Sequence, residues 1–309
     1  MDARSSADPD LPSIRRPLTA RKDVHNMLYL LLAILSSALV SLTMRFGEDK
    51  APNRITMLAV NYAVCTLLAA LFTKGGLIAA GEGAGVALGL GAVGGVMFLV
   101  SFLLLQWNVR VNGVVLSSTF MKLGVLVPTV MAITLFGETP RPVQFVGLAL
   151  AVAAILIINL GKGGSKAKSG LGLMILLLSG GLTDSLSKIY DQWGIPKWES
   201  HYLLYIFCVA LILSVALTLY KRQRITRTDV LCGVAIAVPN YFSARFLLLA
   251  LNSVPAVLAY PTYSVATIVV VSLAGLAFFR ERLSCRQLIG MGVILVSIAL
   301  LNLPAPAAV

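Results

Sequence analysis

The chain has 309 residues, of which 58% are apolar and only 12% are charged, and its mean hydropathy is +0.88. An ordinary globular protein carries about 25% charged residues, and so few charges could not cover the surface of a soluble fold of this length. The composition therefore excludes disordered, coiled-coil and collagen-like chains. The net charge of +12 does not indicate nucleic-acid binding, because most Lys and Arg lie in short connections between apolar segments.

Apolar segments follow one another along the chain from residue 27 onward. Residues 1–26 are polar and of mixed charge, which predicts a flexible tail. Each later segment is close to the about 20 residues that a helix needs to cross a bilayer. The predicted spans are 27–46, 56–73, 85–107, 113–136, 143–160, 171–190, 200–220, 230–251, 256–279 and 286–303. We therefore predict an all-α integral membrane protein with ten transmembrane helices.

The second half of the chain repeats the first at a constant offset of 143 residues. Three positions recur with the same spacing: Glu138, Gln144 and Gly147 as Glu281, Gln287 and Gly290. The repeat divides the chain into two five-helix units, residues 27–160 and 171–303. Because five is odd, the second unit must enter the membrane upside down relative to the first. Two inverted repeats around a site at the midplane are typical of transporters.

The repeated motif also resembles a known family. Ten helices in two sets of five, with Glu138 closing the fourth helix and Gln144 and Gly147 opening the fifth, are similar to the EamA-type drug/metabolite transporter superfamily over about residues 27–303. The resemblance implies a multi-pass protein of the inner or plasma membrane with both termini in the cytoplasm. The charge distribution favours the opposite orientation, because Lys and Arg are more numerous in the odd-numbered connections.

Charged residues inside the predicted spans are the strongest functional signal, since a charge at the centre of a spanning helix costs about 2.5–3.5 kcal/mol. Lys122 lies near the centre of the fourth helix, where it has no acidic neighbour, and we predict that it lines a substrate cavity. We predict the same for Arg245 in the eighth helix. Asp184 and Lys188 are four residues apart in the sixth helix, so they form either a structural ion pair or a proton-coupling site.

Helical spacing places polar and aromatic residues beside these cations. Ser118 lies one turn before Lys122, and Tyr241 lies one turn before Arg245. The predicted substrate-binding residues besides the two cations are Ser118, Tyr241, Tyr260 and Tyr263. Ordinary packing is the alternative for the tyrosines. Glu138 and Glu281 lie at the ends of predicted helices, which predicts an architectural role in which each side chain orients the turn into the next helix.

Two further patterns argue against a cofactor or metal. The stretch from Gly89 to Gly94 matches the dinucleotide motif GxGxxG, but no acidic residue lies between Gly83 and Gly137. These glycines are therefore predicted to serve close helix packing. The four cysteines stand alone in or beside apolar segments, without the spacing of metal ligands.

These observations predict a secondary transporter that moves a small anionic or zwitterionic metabolite by alternating access, because Lys122 and Arg245 suit carboxylates and phosphates. Proton-coupled efflux of cationic drugs is the alternative within this class. An integral-membrane lipid-modifying enzyme is the alternative from another class, and it would need acid–base or metal-binding clusters at the interface. The expected partners are the lipid bilayer and a small-molecule substrate, and a homodimer is an alternative to a monomer.

Overall fold

The computed structural model describes residues 20–48, 53–74, 76–112, 114–159, 169–279 and 285–301, and all its regular elements are helical. The helices are α1 (Ala20–Glu48), α2 (Arg54–Phe72), α3 (Ala84–Asn112), α4 (Val114–Leu123), α5 (Leu126–Thr134), α6 (Pro142–Asn159), α7 (Gly170–Trp193), α8 (Glu199–Tyr220), α9 (Arg227–Leu251), α10 (Ala256–Phe279) and α11 (Cys285–Leu301). A short 3₁₀ turn, Pro196–Trp198, precedes α8. The all-α prediction is confirmed.

Within the described residues, seven helices, α1 to α3 and α7 to α10, are long and apolar enough to span a membrane. The α4–α5 segment, α6 and α11 are apolar but shorter. These ten apolar segments match the ten predicted spans in position and indicate a multi-pass membrane protein. Large apolar side chains face outward, such as Leu71 and Leu219 with 71% and 72% of their surface exposed, and these faces contact lipid.

The first helix begins earlier than the composition predicts. It starts at Ala20, so residues 20–26 of the predicted polar tail are helical. No proline follows Pro17 in this stretch, and polar side chains do not prevent a spanning helix from continuing beyond the apolar core. The rest of the predicted tail, residues 1–19, lies outside the described residues.

The fourth predicted span is interrupted at its centre. The α4 helix ends at Leu123 and α5 begins at Leu126. Pro128 has no N–H to donate to the carbonyl of Gly124, four residues earlier, so the regular ladder cannot continue through this point. A Cβ atom at Gly124 would lie 3.0 Å from the backbone nitrogen of Gly181, so the break brings two helix backbones into close contact. It also leaves Lys122 in the last turn of a helix.

The connections gather at two ends of the helix bundle. At one end, which we call the Lys221 end, the Nδ2 atom of Asn53 donates to the carbonyl of Arg224 over 2.9 Å, which joins the start of α2 to the 221–226 connection. At the other end, which we call the Glu138 end, the indole N–H of Trp198 donates to the carbonyl of Glu82 over 2.8 Å. The Glu138 end comprises the connections 73–74 with 76–83, 135–141, 194–198 and 252–255.

The glycine-rich stretch of α3 packs against α8. A Cβ atom at Gly91 would lie 2.6 Å from Cβ of Tyr205, and one at Gly95 would lie 2.6 Å from the carbonyl oxygen of Ile206. The absence of side chains at these positions allows the two helix backbones to approach. The structure thus agrees with helix packing as the role of Gly91 and Gly95, whereas a Cβ atom at Gly89 would meet nothing within 4 Å.

Candidate functional site

A cavity of about 250 Å³ lies between α1, α2, α3, α4, α7 and α9. Its lining comes from the parts of these helices that lie at mid-depth or nearer the Lys221 end, for example Met44 late in α1 and Leu58 early in α2. The walls are mainly aliphatic, thioether and aromatic, with residues such as Phe98 and Ile236. Such a lining suits the apolar body of a small molecule.

Asp184 is the one charged residue that lines this cavity within the described part of the chain. It lies in the middle of α7, yet its side chain is exposed, because it points into the cavity rather than into packed protein. A carboxylate at this depth is costly unless water or a counter-charge reaches it. The cavity provides access to water or to a ligand at the carboxylate.

Lys122 supplies the counter-charge on the neighbouring helix. The charges of Lys122 and Asp184 act on each other, although the described structure has no ion pair within 4.0 Å between them. Lys122 is also in the last turn of α4, where the carbonyl end of a helix favours a cation. Its side chain is only partly exposed and is not among the lining residues. The prediction placed Lys122 directly on the cavity wall, and the structure does not.

Amide and hydroxyl groups form the remaining polar part of the lining. The Nδ2 atom of Asn240 in α9 lies 3.3 Å from the Oδ1 atom of Asn61 in α2. Ser101 in α3 and Thr183 in α7 are 3.0 Å apart through their hydroxyl oxygens. These four residues and Asp184 give the apolar cavity a small number of directional contacts.

Aromatic side chains fill the bundle between this cavity and the Glu138 end. The rings of Tyr190 and Tyr202 are stacked with their centroids 4.2 Å apart. Tyr241 lies with its ring centroid 5.7 Å from that of Phe72 and 6.0 Å from that of Phe207. We call these five residues the aromatic plug. It closes the Glu138 end in the structure described.

An ion cluster closes the same end and corrects the predicted pairing of Lys188. The ammonium of Lys188 lies 2.9 Å from a carboxylate oxygen of Asp191 and 3.0 Å from one of Glu138, and not beside Asp184. Lys188 is 1% exposed. Its position three residues before Asp191 on α7, near the helix end, allows it to reach the turn that carries Glu138. Asp184 is thereby left free to face the cavity.

Glu138 differs from its predicted role in one respect. Its two carboxylate oxygens accept from the backbone N–H groups of Ala256 and Val257, at 3.1 and 3.0 Å. The side chain therefore caps α10, a helix of the other half, rather than orienting the turn into α6. An architectural role fits the structure, but the helix it serves could not be identified from a turn motif.

The other predicted binding residues lie around the cavity rather than on its surface. The Nη1 atom of Arg245 donates to the hydroxyl of Tyr241 over 2.8 Å and the guanidinium lies over the ring of Phe72, so both predicted residues are part of the closed end. The hydroxyl of Tyr260 donates to the backbone carbonyl of Asp184 over 2.7 Å.

The hydroxyl of Tyr263 lies 2.9 Å from the hydroxyl of Ser243. The side chain of Ser118 lies outside the described residues. A role of these residues in binding stays a prediction.

The sequence offered a signal for the lining residues that were not predicted. Asn240 directly follows Pro239, an intrahelical proline, and Asn61 is an amide within the otherwise apolar α2 helix. A polar residue next to a helix irregularity at mid-depth is typical of transport sites. The prediction of the site gave priority to Lys and Arg residues and therefore did not include these two amides.

Two of the comparisons with known proteins point to small-molecule transporters. The family model described as "Small Multidrug Resistance protein" matches residues 200–294. The multidrug resistance protein EbrA of Bacillus subtilis is 38% identical over 71 residues, which are 23% of this chain and 68% of EbrA. An uncharacterized protein of Haemophilus influenzae is 24% identical over 283 residues, covering 87% of this chain and 94% of that protein.

A solved crystal structure shows that the whole fold has a precedent. It matches with a TM-score of 0.70 at 15% sequence identity and covers 90% of this chain and 96% of the other chain. The likeness therefore extends over both halves of the molecule. Membership of the EamA-type superfamily, which the repeated motif resembles, stays a prediction.

Proposed function

The chain belongs to the small multidrug resistance protein family, and from that premise we propose that it is a secondary transporter that carries small organic cations across the inner or plasma membrane by alternating access. The family and the membrane fold favour transport over lipid-modifying enzyme chemistry. Asp184, the one charged group on the cavity surface among the described residues, carries the proposal for a cationic substrate.

The packing of helices between the two halves supports alternating access. If α1 to α6 correspond to α7 to α11, with α4 and α5 counted as one span, the most extensive contacts between the halves have reciprocal contacts. The α1 helix packs on α9 as α7 packs on α3, and α2 packs on α9 as α8 packs on α3. This reciprocity is what a two-fold relation between inverted repeats would produce.

The directions of the helices support the same relation. Near the start of α1, the ring of Tyr29 stacks on Phe246 near the end of α9. Near the start of α7, the carbonyl of Gly172 accepts from the Nδ2 atom of Asn108 near the end of α3. Both pairs are therefore antiparallel, and they lie at opposite ends of the bundle. If the two halves exchanged these arrangements, so that α7 packed on α3 as α1 now packs on α9 and the reverse, the cavity would close at the Lys221 end and open at the Glu138 end.

The electrostatics of the cavity favour the second of the two substrate classes that the sequence indicates. An anion would meet the carboxylate of Asp184, whereas the predicted cations are elsewhere: Arg245 bonds Tyr241, and Lys188 bonds two acids. An organic cation would place its charge at Asp184 and its apolar body against Phe98. In that arrangement, Lys122 balances Asp184 when the cavity has no substrate.

Three small compounds that share a phenyl group test the proposed charge preference. The full chain, reconstituted in liposomes, is assayed for counterflow of benzyltrimethylammonium, phenylacetate and phenylalanine, which carry a positive charge, a negative charge and both. We expect counterflow of benzyltrimethylammonium alone. Asp184→Asn should abolish it, because the amide removes the negative charge while preserving the shape of the side chain.

Glu82→Gln is the matched control, because it removes one carboxylate from an exposed connection and should leave counterflow unchanged. Counterflow of phenylacetate or phenylalanine that persists in Asp184→Asn and is lost in Lys122→Gln would contradict the proposal. That result would support the anionic or zwitterionic substrate instead.

A further inference from the structure

The amides of Asn61 and Asn240 form a pair on the cavity wall, on α2 and α9 rather than on the helix of Asp184. The Nδ2 atom of Asn240 donates to Oδ1 of Asn61 over 3.3 Å. The thiol of Cys65, one turn after Asn61 and fully buried, lies 3.8 Å from the same oxygen and 3.3 Å from the carbonyl of Ala237. Cys65 therefore contacts the pair on the side away from the cavity, while both amide side chains line the cavity.

The contacts within the pair leave hydrogen-bonding capacity on both residues. A side-chain amide has two N–H donors and an oxygen with two acceptor sites. The Oδ1 atom of Asn61 is occupied by Asn240 and Cys65, while its Nδ2 atom has no hydrogen-bond partner among the described residues. The Oδ1 atom of Asn240 likewise has none within that part of the structure. The Nδ2 atom of Asn61, with its two N–H donors, and the acceptor oxygen Oδ1 of Asn240 are therefore available to a molecule in the cavity.

We propose that the Asn61–Asn240 pair is a specificity-determining site that recognises a hydroxyl or carbonyl group on the substrate. This inference rests on the proposed function, in which Asp184 binds the substrate's positive charge. The substrate would then be an organic cation with a hydrogen-bonding group at a distance from its charge. A wall of Leu58 and Ile236 alone would bind the apolar part of such a molecule without distinguishing it from an analogue that lacks the group.

The unpaired amide groups determine which of two similar ligands this site binds more tightly. A site that presents unpaired polar groups penalises ligands that cannot bond them, whereas an apolar wall only weakly rejects an added hydroxyl. One hydrogen bond contributes about 0.5–1.5 kcal/mol. The preference for a ligand with the matching group is therefore about two- to tenfold in affinity.

Phenethylamine and tyramine test the inference, because they share a protonated amine and an aromatic ring and differ by one phenolic hydroxyl. Binding of each to the purified full chain in detergent is measured by isothermal titration calorimetry. We expect tyramine to bind the unmodified protein about fivefold more tightly. In the double variant Asn61→Leu and Asn240→Leu, this preference should disappear while phenethylamine affinity stays within about twofold.

Replacing both amides leaves no orphaned partner, which favours folding of the double variant. Asn240→Ala provides a second test if the double variant does not fold, and it should also lower tyramine affinity selectively. Thr66→Val is the matched control, because this α2 hydroxyl bonds its own helix at the carbonyl of Tyr62 and does not line the cavity.

A tyramine preference that survives in the Asn variants would overturn the inference, as would equal binding of both amines by the unmodified protein. Failure of the proposed function has a different signature. In that case neither amine would lose affinity in Asp184→Asn, whatever the effect of the Asn variants.

Discussion

The carboxylate of Glu138 lies 3.0 Å from the ammonium of Lys188 and so joins the first half of the chain to the second. The same carboxylate accepts the first backbone N–H groups of α10, from Ala256 and Val257. Since the start of a helix carries partial positive charge, Glu138 is compensated on two sides. All of these partners belong to the second half, so this one side chain fastens α7 and α10 to the turn after α5 at the closed end.

A double-mutant cycle measures how strongly this contact holds the Glu138 end. Removing one member of a buried ion pair costs about 3–5 kcal/mol, because the remaining charge is uncompensated. Lys188→Met should therefore lower the free energy of unfolding by about 3 kcal/mol. Adding Glu138→Gln should restore about 1 kcal/mol, since it removes one of the two carboxylate charges that have lost the ammonium of Lys188. Denaturant unfolding in detergent micelles provides the measurement, and strictly additive single effects would show that the pair is not coupled.

Two glycines of α3 provide a matched test of helix packing. A Cβ atom at Gly95 would lie 2.6 Å from a backbone oxygen of α8, whereas one at Gly89 would meet nothing within 4 Å. Gly95→Ala should therefore destabilise the protein by about 1–3 kcal/mol through overpacking. Gly89→Ala should be neutral or stabilising by up to about 1 kcal/mol, since alanine favours a helix. Thermal unfolding of both variants decides, and equal stability would contradict the close α3–α8 contact.

The fold was largely predictable because the hydrophobic length of each span is a local property of the sequence. The ten predicted spans correspond to the helices observed, and the main local differences are the earlier start of α1 and the break at Gly124. Both differences depend on details that hydropathy does not contain. An interfacial polar stretch can be helical or extended, and the effect of Pro128 depends on which neighbour satisfies the freed carbonyl.

The site was less predictable because partners on different helices are not visible in a single sequence. Spacing alone paired Asp184 with Lys188, but Lys188 bonds Glu138, which is 50 residues away along the chain. The depth of Lys122 indicated a functional position, and the structure places it within electrostatic reach of Asp184 but not on the cavity surface. The polar residues of the lining, Asn61 and Asn240, are uncharged and therefore gave a weaker signal.

The orientation of the two halves relative to each other can be tested at two positions that are 143 residues apart, the offset of the repeat. Ile78 lies in the connection after α2 and Lys221 in the connection after α8, and both are exposed. We introduce a single cysteine at each position into a protein whose four native cysteines are replaced by serine. An impermeant thiol reagent applied to intact cells should label one position but not the other. Labelling of both positions from the same side would contradict the inverted arrangement.

The labelling pattern also determines the orientation of the protein in the membrane. Ile78 lies in a connection at the Glu138 end, where α1 begins and α11 ends. Labelling at Lys221 alone would place the termini in the cytoplasm, as the family resemblance implies. Labelling at Ile78 alone would place them outside, as the distribution of Lys and Arg favours.

Lys122→Gln distinguishes the two substrate classes by the sign of its effect. Lys122 acts electrostatically on Asp184, so under the proposed function it would compete with a bound cation for this carboxylate. Its removal should therefore strengthen benzyltrimethylammonium binding severalfold, while Lys122→Arg, which keeps the charge, should change it less. Calorimetric titration of both variants is the measurement. Weaker cation binding in Lys122→Gln, or loss of phenylacetate binding that the unmodified protein shows, would contradict the assigned role.

The accessibility of position 184 tests most directly whether Asp184 faces a transport cavity that is open at one end. Asp184→Cys is introduced into the protein without native cysteines, and a positively charged, impermeant methanethiosulfonate reagent is applied from each side of oriented vesicles. We predict rapid modification from the side of the Lys221 end and much slower modification from the side of the Glu138 end, where the aromatic plug and the Lys188 ion cluster intervene. Absence of reaction from both sides would contradict the account, because Asp184 would then be sealed within the bundle.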